Sequence, residues 1–76
     1  MLELYGTASC PYTAELRDEL AYEGETFAEY DVEGDVVALE RMLQLTNGNR
    51  TVPVLVENGR VKQVGVNGRG CFVGRS

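Results

Sequence analysis

The chain reads as an α/β protein with a mixed four-stranded sheet flanked by two helices, and three features of its sequence lead there. Apolar residues recur at strand spacing, then helical spacing, then again at each, giving strand, helix, strand, helix. A helical crossover between the first two strands makes them a right-handed parallel pair. Two further apolar runs, separated by Asn58-Gly59, carry the strongest short hairpin signal and add an antiparallel element.

Each element has a local reason. Leu2 to Tyr5 alternates as a half-buried strand does, and Gly6 ends it. From Pro11 to about Glu23, Tyr12, Leu16 and Leu20 recur every four residues beside acids, the stripe of an amphipathic helix stopped by Gly24. Phe27 to Val32 is the second strand, with Ala28, Tyr30 and Val32 on one face. Asp35 is the expected N-cap of a second helix whose buried stripe is Val36, Leu39, Leu43 and their neighbours, and Asn47-Gly48 is its stop. Val52 to Glu57 and Arg60 to Val64 form the closing hairpin. Only twelve residues follow Val64, and Gly65, Gly68, Gly70 and Gly74 are among them, so no full third helix is expected. The sheet face such a helix would cover then needs the tail folded across it or a neighbouring chain, and a homodimer is one outcome.

Seventy-six residues fit one domain, residues 1–76, with an ordinary apolar fraction of 43%. The sequence carries no apolar run of membrane-spanning length and no signal-peptide pattern, so a cytoplasmic protein without membrane attachment is expected. Its two cysteines, Cys10 and Cys71, are no disulfide scaffold, and without histidine no four-ligand zinc site is expected within one chain. The net charge of −5 is uneven, with eleven of the twelve acids in residues 1–40 and six of the seven bases (Arg41, Arg50, Arg60, Lys62, Arg69, Arg75) beyond them. A basic half beside a thiolate would steady it and attract an anionic thiol, although a plain solvated surface explains the same composition. The negative total and the lack of a Lys/Arg cluster argue against nucleic acid.

The chemistry centres on Cys10-Pro11-Tyr12-Thr13, at the turn from the first strand into the first helix. The amides of a first helical turn lack intrahelical partners and, with the helix dipole, lower a thiol pKa from about 8.5 toward neutrality. Pro11 suits the first helical position. A buried structural cysteine is the competing reading. The second segment is Arg50-Thr51-Val52-Pro53, with the proline at a strand start, where its missing N–H is tolerated.

Cys-Pro-Tyr after the first strand together with Thr-Val-Pro opening a later one resembles the glutaredoxin family, over Leu2 to about Gly65. The resemblance implies a thioredoxin-like fold and a thiol–disulfide oxidoreductase serving electron transport and cell redox homeostasis, with Cys10 as nucleophile and glutathione as co-substrate rather than a tightly bound cofactor. Glutathione or disulfide-containing proteins would be the partners. It further implies a cis Val52–Pro53 bond facing the nucleophile, Val52 pairing its backbone with the cysteinyl part of the substrate, Tyr12 bordering the sulfur and Arg50 meeting the glycine carboxylate of glutathione. The usual second motif cysteine is replaced by Thr13, which is either a hydrogen-bond partner of the Cys10 sulfur or an ordinary residue of the helical turn. This makes the chain resemble monothiol members, in which a second thiol molecule releases the product. Cys71 as a distant resolving cysteine is the alternative, as are an intermolecular disulfide and a buried inert thiol.

Two departures touch glutathione. Thr7 stands where the family usually has a lysine, and the Gly-Gly and acidic pair that hold the γ-glutamyl end have only Val64 to Gly70 as a counterpart. The chain is also similar to small bacterial proteins whose nucleophile is selenocysteine in a motif ending Pro-Tyr-Thr, so Cys10 is either a natural cysteine homologue or a replacement for selenium. Two other functions stay open: an iron–sulfur carrier bridging a cluster through Cys10 in a dimer, and a redox-inert binding module.

Overall fold

The computed structural model describes residues 1–73, so Gly74 and Arg75, counted above among the tail glycines and the bases, lie outside the described residues. The elements are β1 (Leu2–Gly6), α1 (Pro11–Tyr22), β2 (Phe27–Asp31), α2 (Val36–Thr46), β3 (Thr51–Val52), β4 (Val54–Glu57), β5 (Arg60–Val64) and β6 (Cys71–Phe72). The main sheet has the order β2-β1-β4-β5. β1 runs parallel to β2 and antiparallel to β4, and β4 pairs antiparallel with β5, so the sheet is mixed as expected.

Alternation along the central strands divides the core between the two helices. Leu2 and Leu4 of β1 and Leu55 of β4 pack with Leu16 and Leu20 of α1. Tyr5 of β1 and Val54 and Val56 of β4 pack with Ala38 and Met42 of α2. Each helix therefore covers its own sheet face, and β1 contributes to both layers.

Helix ends follow their sequence signals. Cys10 is the N-cap of α1, with extended backbone and Pro11 behind it. At α2 the Asp35 carboxylate accepts from the N–H groups of Val37 and Ala38, satisfying two amides of the first turn. Asn47 ends that helix in the left-handed region and the Gly48 N–H reaches Leu43 O at 2.8 Å. Asn58 and Gly59 both have positive φ, as a two-residue primed turn requires.

Two expectations need correction. Val36 is not in the buried stripe of α2: it is 66% exposed, and Ala38 and Met42 face the core with Leu39 and Leu43 at the flanks. Apolar residues surround the first turn of this helix, so spacing alone left its rotation open, and sheet packing set it. The strand expected from Val52 to Glu57 is interrupted at Pro53, which has no N–H for a ladder; β4 starts beyond it in the main sheet. Thr51 and Val52 instead form a separate two-stranded ladder with β6.

That ladder is the work of the tail. No helix follows β5 among the described residues. Val66 packs into the α1 layer, and the chain then reverses at Asn67-Gly68, both with positive φ, where the Val66 and Arg69 backbones bond each other at 2.7 and 2.9 Å. The returning strand carries Val73, 2% exposed, into the α2 layer.

Candidate functional site

Cys10 stands at the end of the loop leaving β1, where its carbonyl accepts the first intrahelical bond from Ala14 N–H at 3.2 Å. Its side chain caps no amide of the helix. It is joined in a disulfide to Cys71, across 61 residues of sequence, with the Cα atoms 6.0 Å apart. The sequence left Cys71 between a distant resolver, an intermolecular bond and an inert thiol; the fold brings it to Cys10. Cys10 is only 2% exposed, while Cys71 is half-buried.

β3 provides the adjoining wall. Val52 is paired with Cys71 and Thr51 with Phe72, antiparallel. The register continues with Val73 N–H donating to Arg50 O at 2.9 Å. Val52–Pro53 is a cis peptide, as the resemblance implied, and Pro53 O accepts from Gly65 N–H at 2.7 Å. Val52 and Pro53 are buried, whereas Arg50 and Thr51 are half-buried at the margin.

The other motif residues follow Cys10 in the first turn of α1. Thr13 is fully buried, and its Oγ1 accepts from Thr7 N–H at 3.4 Å. No hydrogen bond joins it to the Cys10 sulfur among the described residues, so its local role is to tie α1 to the loop after β1. Gly6 is constrained by the same contact, because a Cβ there would collide with the Thr13 side chain. Tyr12 is half-buried and lines a groove of about 320 Å³ together with Glu15, Val66, Asn67 and Arg69. The Gly-rich segment thus lies against the first turn of α1.

Sequence reading missed three participants. Gly70 and Val73 seat the tail on β3, and Asn67-Gly68 is the turn that sends it there. The last was detectable, since it is the dipeptide that marked the hairpin at Asn58-Gly59; with only a few residues on either side, no apolar alternation drew attention to it.

An α/β fold with a disulfide-bonded cysteine at the N-cap of its first helix, beside a Thr-Val-Pro strand, is of the thioredoxin-like class. A family model described as Glutaredoxin matches residues 2–62, and the chain belongs to the glutaredoxin family. It is 33% identical over 57 residues to a probable glutaredoxin of Synechocystis sp., covering 75% of this chain and 52% of that protein. The chain therefore spans about half the length of that curated relative. In structure it resembles a thioredoxin-like protein known from a crystal structure, at a TM-score of 0.75 and 26% identity over 82% of this chain and 84% of that one. The crystal structure of a mutant of the same protein gives the same score and identity over 82% of each chain. No helix of the described residues is long and apolar enough to cross a membrane.

Proposed function

We propose that this chain is a small thiol–disulfide oxidoreductase in which Cys10 is the nucleophile and Cys71 resolves the product. The observation that carries the reading is the Cys10–Cys71 pair itself, held at the start of α1 and against β3. In the reduced protein the first-turn amides and dipole of α1 favour the Cys10 thiolate. It attacks one sulfur of a substrate disulfide, forming a mixed disulfide and expelling the other half as a thiolate. The Cys71 thiolate then attacks the Cys10 sulfur, the Cys10–Cys71 bond forms and the remaining substrate half leaves. Two electrons pass from protein to substrate. Two molecules of an external thiol, glutathione being the family's reductant, restore the dithiol and leave as their own disulfide.

The Cα separation favours Cys71 over the external thiol that the Thr13 substitution suggested for resolution. In this reading Tyr12 borders the reacting sulfurs, Thr51, Val52 and Pro53 present the substrate-facing edge, Arg50 supplies a cation at its margin and Thr13 fixes the turn carrying Cys10. Residues 1–76 act as one domain in a reducing compartment such as the cytoplasm, on glutathione-linked or protein disulfides.

Single cysteine variants test this. Cys10→Ser is expected to reduce a disulfide substrate at less than about 1% of the wild-type rate, as loss of a covalent nucleophile requires. Cys71→Ser is expected to complete the first exchange and to accumulate one substrate half on Cys10, visible by intact mass. Full turnover by Cys10→Ser would overturn the assignment.

A further inference from the structure

We propose that β6 is a built-in substrate mimic: the groove along Thr51-Val52 takes an extended cysteine-bearing polypeptide, which must displace the chain's own tail to reach Cys10. This rests on the exchange chemistry assigned to Cys10 above and adds to it what the site selects and what guards it.

The tail already shows a ligand in place. It lies antiparallel on β3 with its cysteine opposite Val52 and bonded to the nucleophile. That is the geometry a substrate segment adopts after the first exchange, with strand pairing supplying register and neighbouring side chains supplying selectivity. A second segment cannot use the same backbone edge while β6 is paired with it. The nucleophile is 2% exposed with the tail seated, so an incoming disulfide needs the tail withdrawn for its sulfur to be reached.

The imprint is specific. A side chain at Gly70, immediately before Cys71, would place its Cβ 2.5 Å from Val52 O and 2.7 Å from Thr51 Cγ2, so the residue preceding the substrate cysteine must be glycine. Phe72, the following residue, is 76% exposed and imposes nothing. Val73 is buried among the α2 layer, so the second residue after the cysteine should be apolar. The preferred substrate is therefore a polypeptide disulfide of the form Gly-Cys-X-Val. Glutathione, which ends one residue after its cysteine, leaves the Val73 place unfilled.

The tail is also weakly seated once the disulfide is reduced. Its ladder with β3 spans two residue pairs, and such short pairings open readily. Reduction thus rearms Cys10 and leaves the strand that covers it held by this short ladder alone, which a substrate strand can displace, and reoxidation locks the groove shut.

The test uses the full chain with Cys71→Ser, so that docking is not locked covalently. The probe is the peptide acetyl-Gly-Cys-Ser-Val-amide carrying 5-thio-2-nitrobenzoate on its sulfur. Attack by Cys10 transfers the peptide and releases the coloured thiolate. Adding Gly70→Val, which obstructs tail docking outside the core, is expected to lower the half-saturating peptide concentration about fivefold or more at an unchanged limiting rate, as removal of a competing closed state requires. The same probe with Lys in place of its Val should saturate more poorly. A redox-inert peptide, acetyl-Gly-Ser-Ser-Val-amide, should raise hydrogen exchange at the Val73 amide of the Cys71→Ser protein. Unchanged or weaker saturation in Gly70→Val, or an indifferent Val73 amide, overturns the proposal. Should Val73 respond while no variant releases thiolate, the tail displacement stands and the exchange chemistry of Cys10 falls.

Discussion

The two sheets of this molecule are built on opposite terms. In the main sheet β1 pairs along five residues with β2 and four with β4, and both faces are filled by a helix. The β3–β6 ladder has two residue pairs, the Val73 anchor and one disulfide. Order in the first follows from apolar burial, which no redox change touches; order in the second depends on a bond that a thiol can break. The division teaches where function is affordable: the scaffold fixes Cys10 at the start of α1, and the part that must come and go is assembled from the least secured residues.

Breaking the bond gives the largest expected effect. Closing a loop between residues separated by 61 positions restricts the unfolded chain, and on the loop-entropy model the cross-link is worth about 4 kcal/mol. Cys71→Ser, or reduction of the wild type, should lower the urea midpoint accordingly while far-ultraviolet circular dichroism of the folded state hardly changes. Loss of the helical signal at the same step would mean that the two sheets are one cooperative unit.

Truncating the core comes next and should not discriminate between redox states. Leu16 is buried between α1 and the main sheet, in the layer that holds neither Cys10 nor β3 nor β6, and Leu16→Ala is expected to cost about 3 kcal/mol. Because it lies on the scaffold side, the loss should be similar in the oxidised and reduced proteins, measured by paired urea titrations. A loss confined to the oxidised form would tie Leu16 to the tail instead.

The same contrast governs what the sequence could reveal. The main sheet was legible because its strands alternate, its helices repeat and its stops are marked by Gly24, Asn47-Gly48 and Asn58-Gly59. Cys10 and Pro53 were legible as a pair of motifs set at element boundaries. The rotation of α2 was not, since Val36, Val37, Ala38 and Leu39 offer an apolar surface all round. The β3–β6 ladder was least legible: two residues are too few for any period, and the residue that makes Cys71 fit is Gly70, whose role is the absence of a side chain. Long-range pairing of so short a strand is decided by what the rest of the fold brings near it.

A smaller effect sharpens the picture within the scaffold. The fully buried Tyr5 stacks on Tyr30 with centroids 5.1 Å apart and donates its hydroxyl to Glu3 Oε1 at 2.9 Å. Burial pushes its pKa up, opposed by the Arg41 hydrogen bond and helped by Glu3. A raised folded-state value means that the native state holds its proton longer than the unfolded chain does. The stability Tyr5 contributes is thus complete below its unfolded pKa, near 10, and is lost as pH rises through the higher folded value. Tyr5→Phe should cost about 1 kcal/mol at neutral pH and flatten the alkaline loss of stability in a urea series above about pH 10.

The smallest effect belongs to the edge of the main sheet farthest in strand order from β5. Arg17 of α1 meets Glu29 of β2 through two contacts from Nε, at 3.0 and 2.9 Å, and one from Nη2 at 2.8 Å. The fork geometry is favourable, but both side chains are about a third exposed, so water and salt screen the pair. Arg17→Ala is expected to cost about 0.5 kcal/mol, less in high salt. The pair tethers a helix to an edge strand and touches neither β3 nor β6, so its cost should be equal before and after reduction. Paired denaturation curves at low and high salt check both points. A cost that disappeared on reduction would carry the influence of the tail across the sheet and erase the contrast between the two regions.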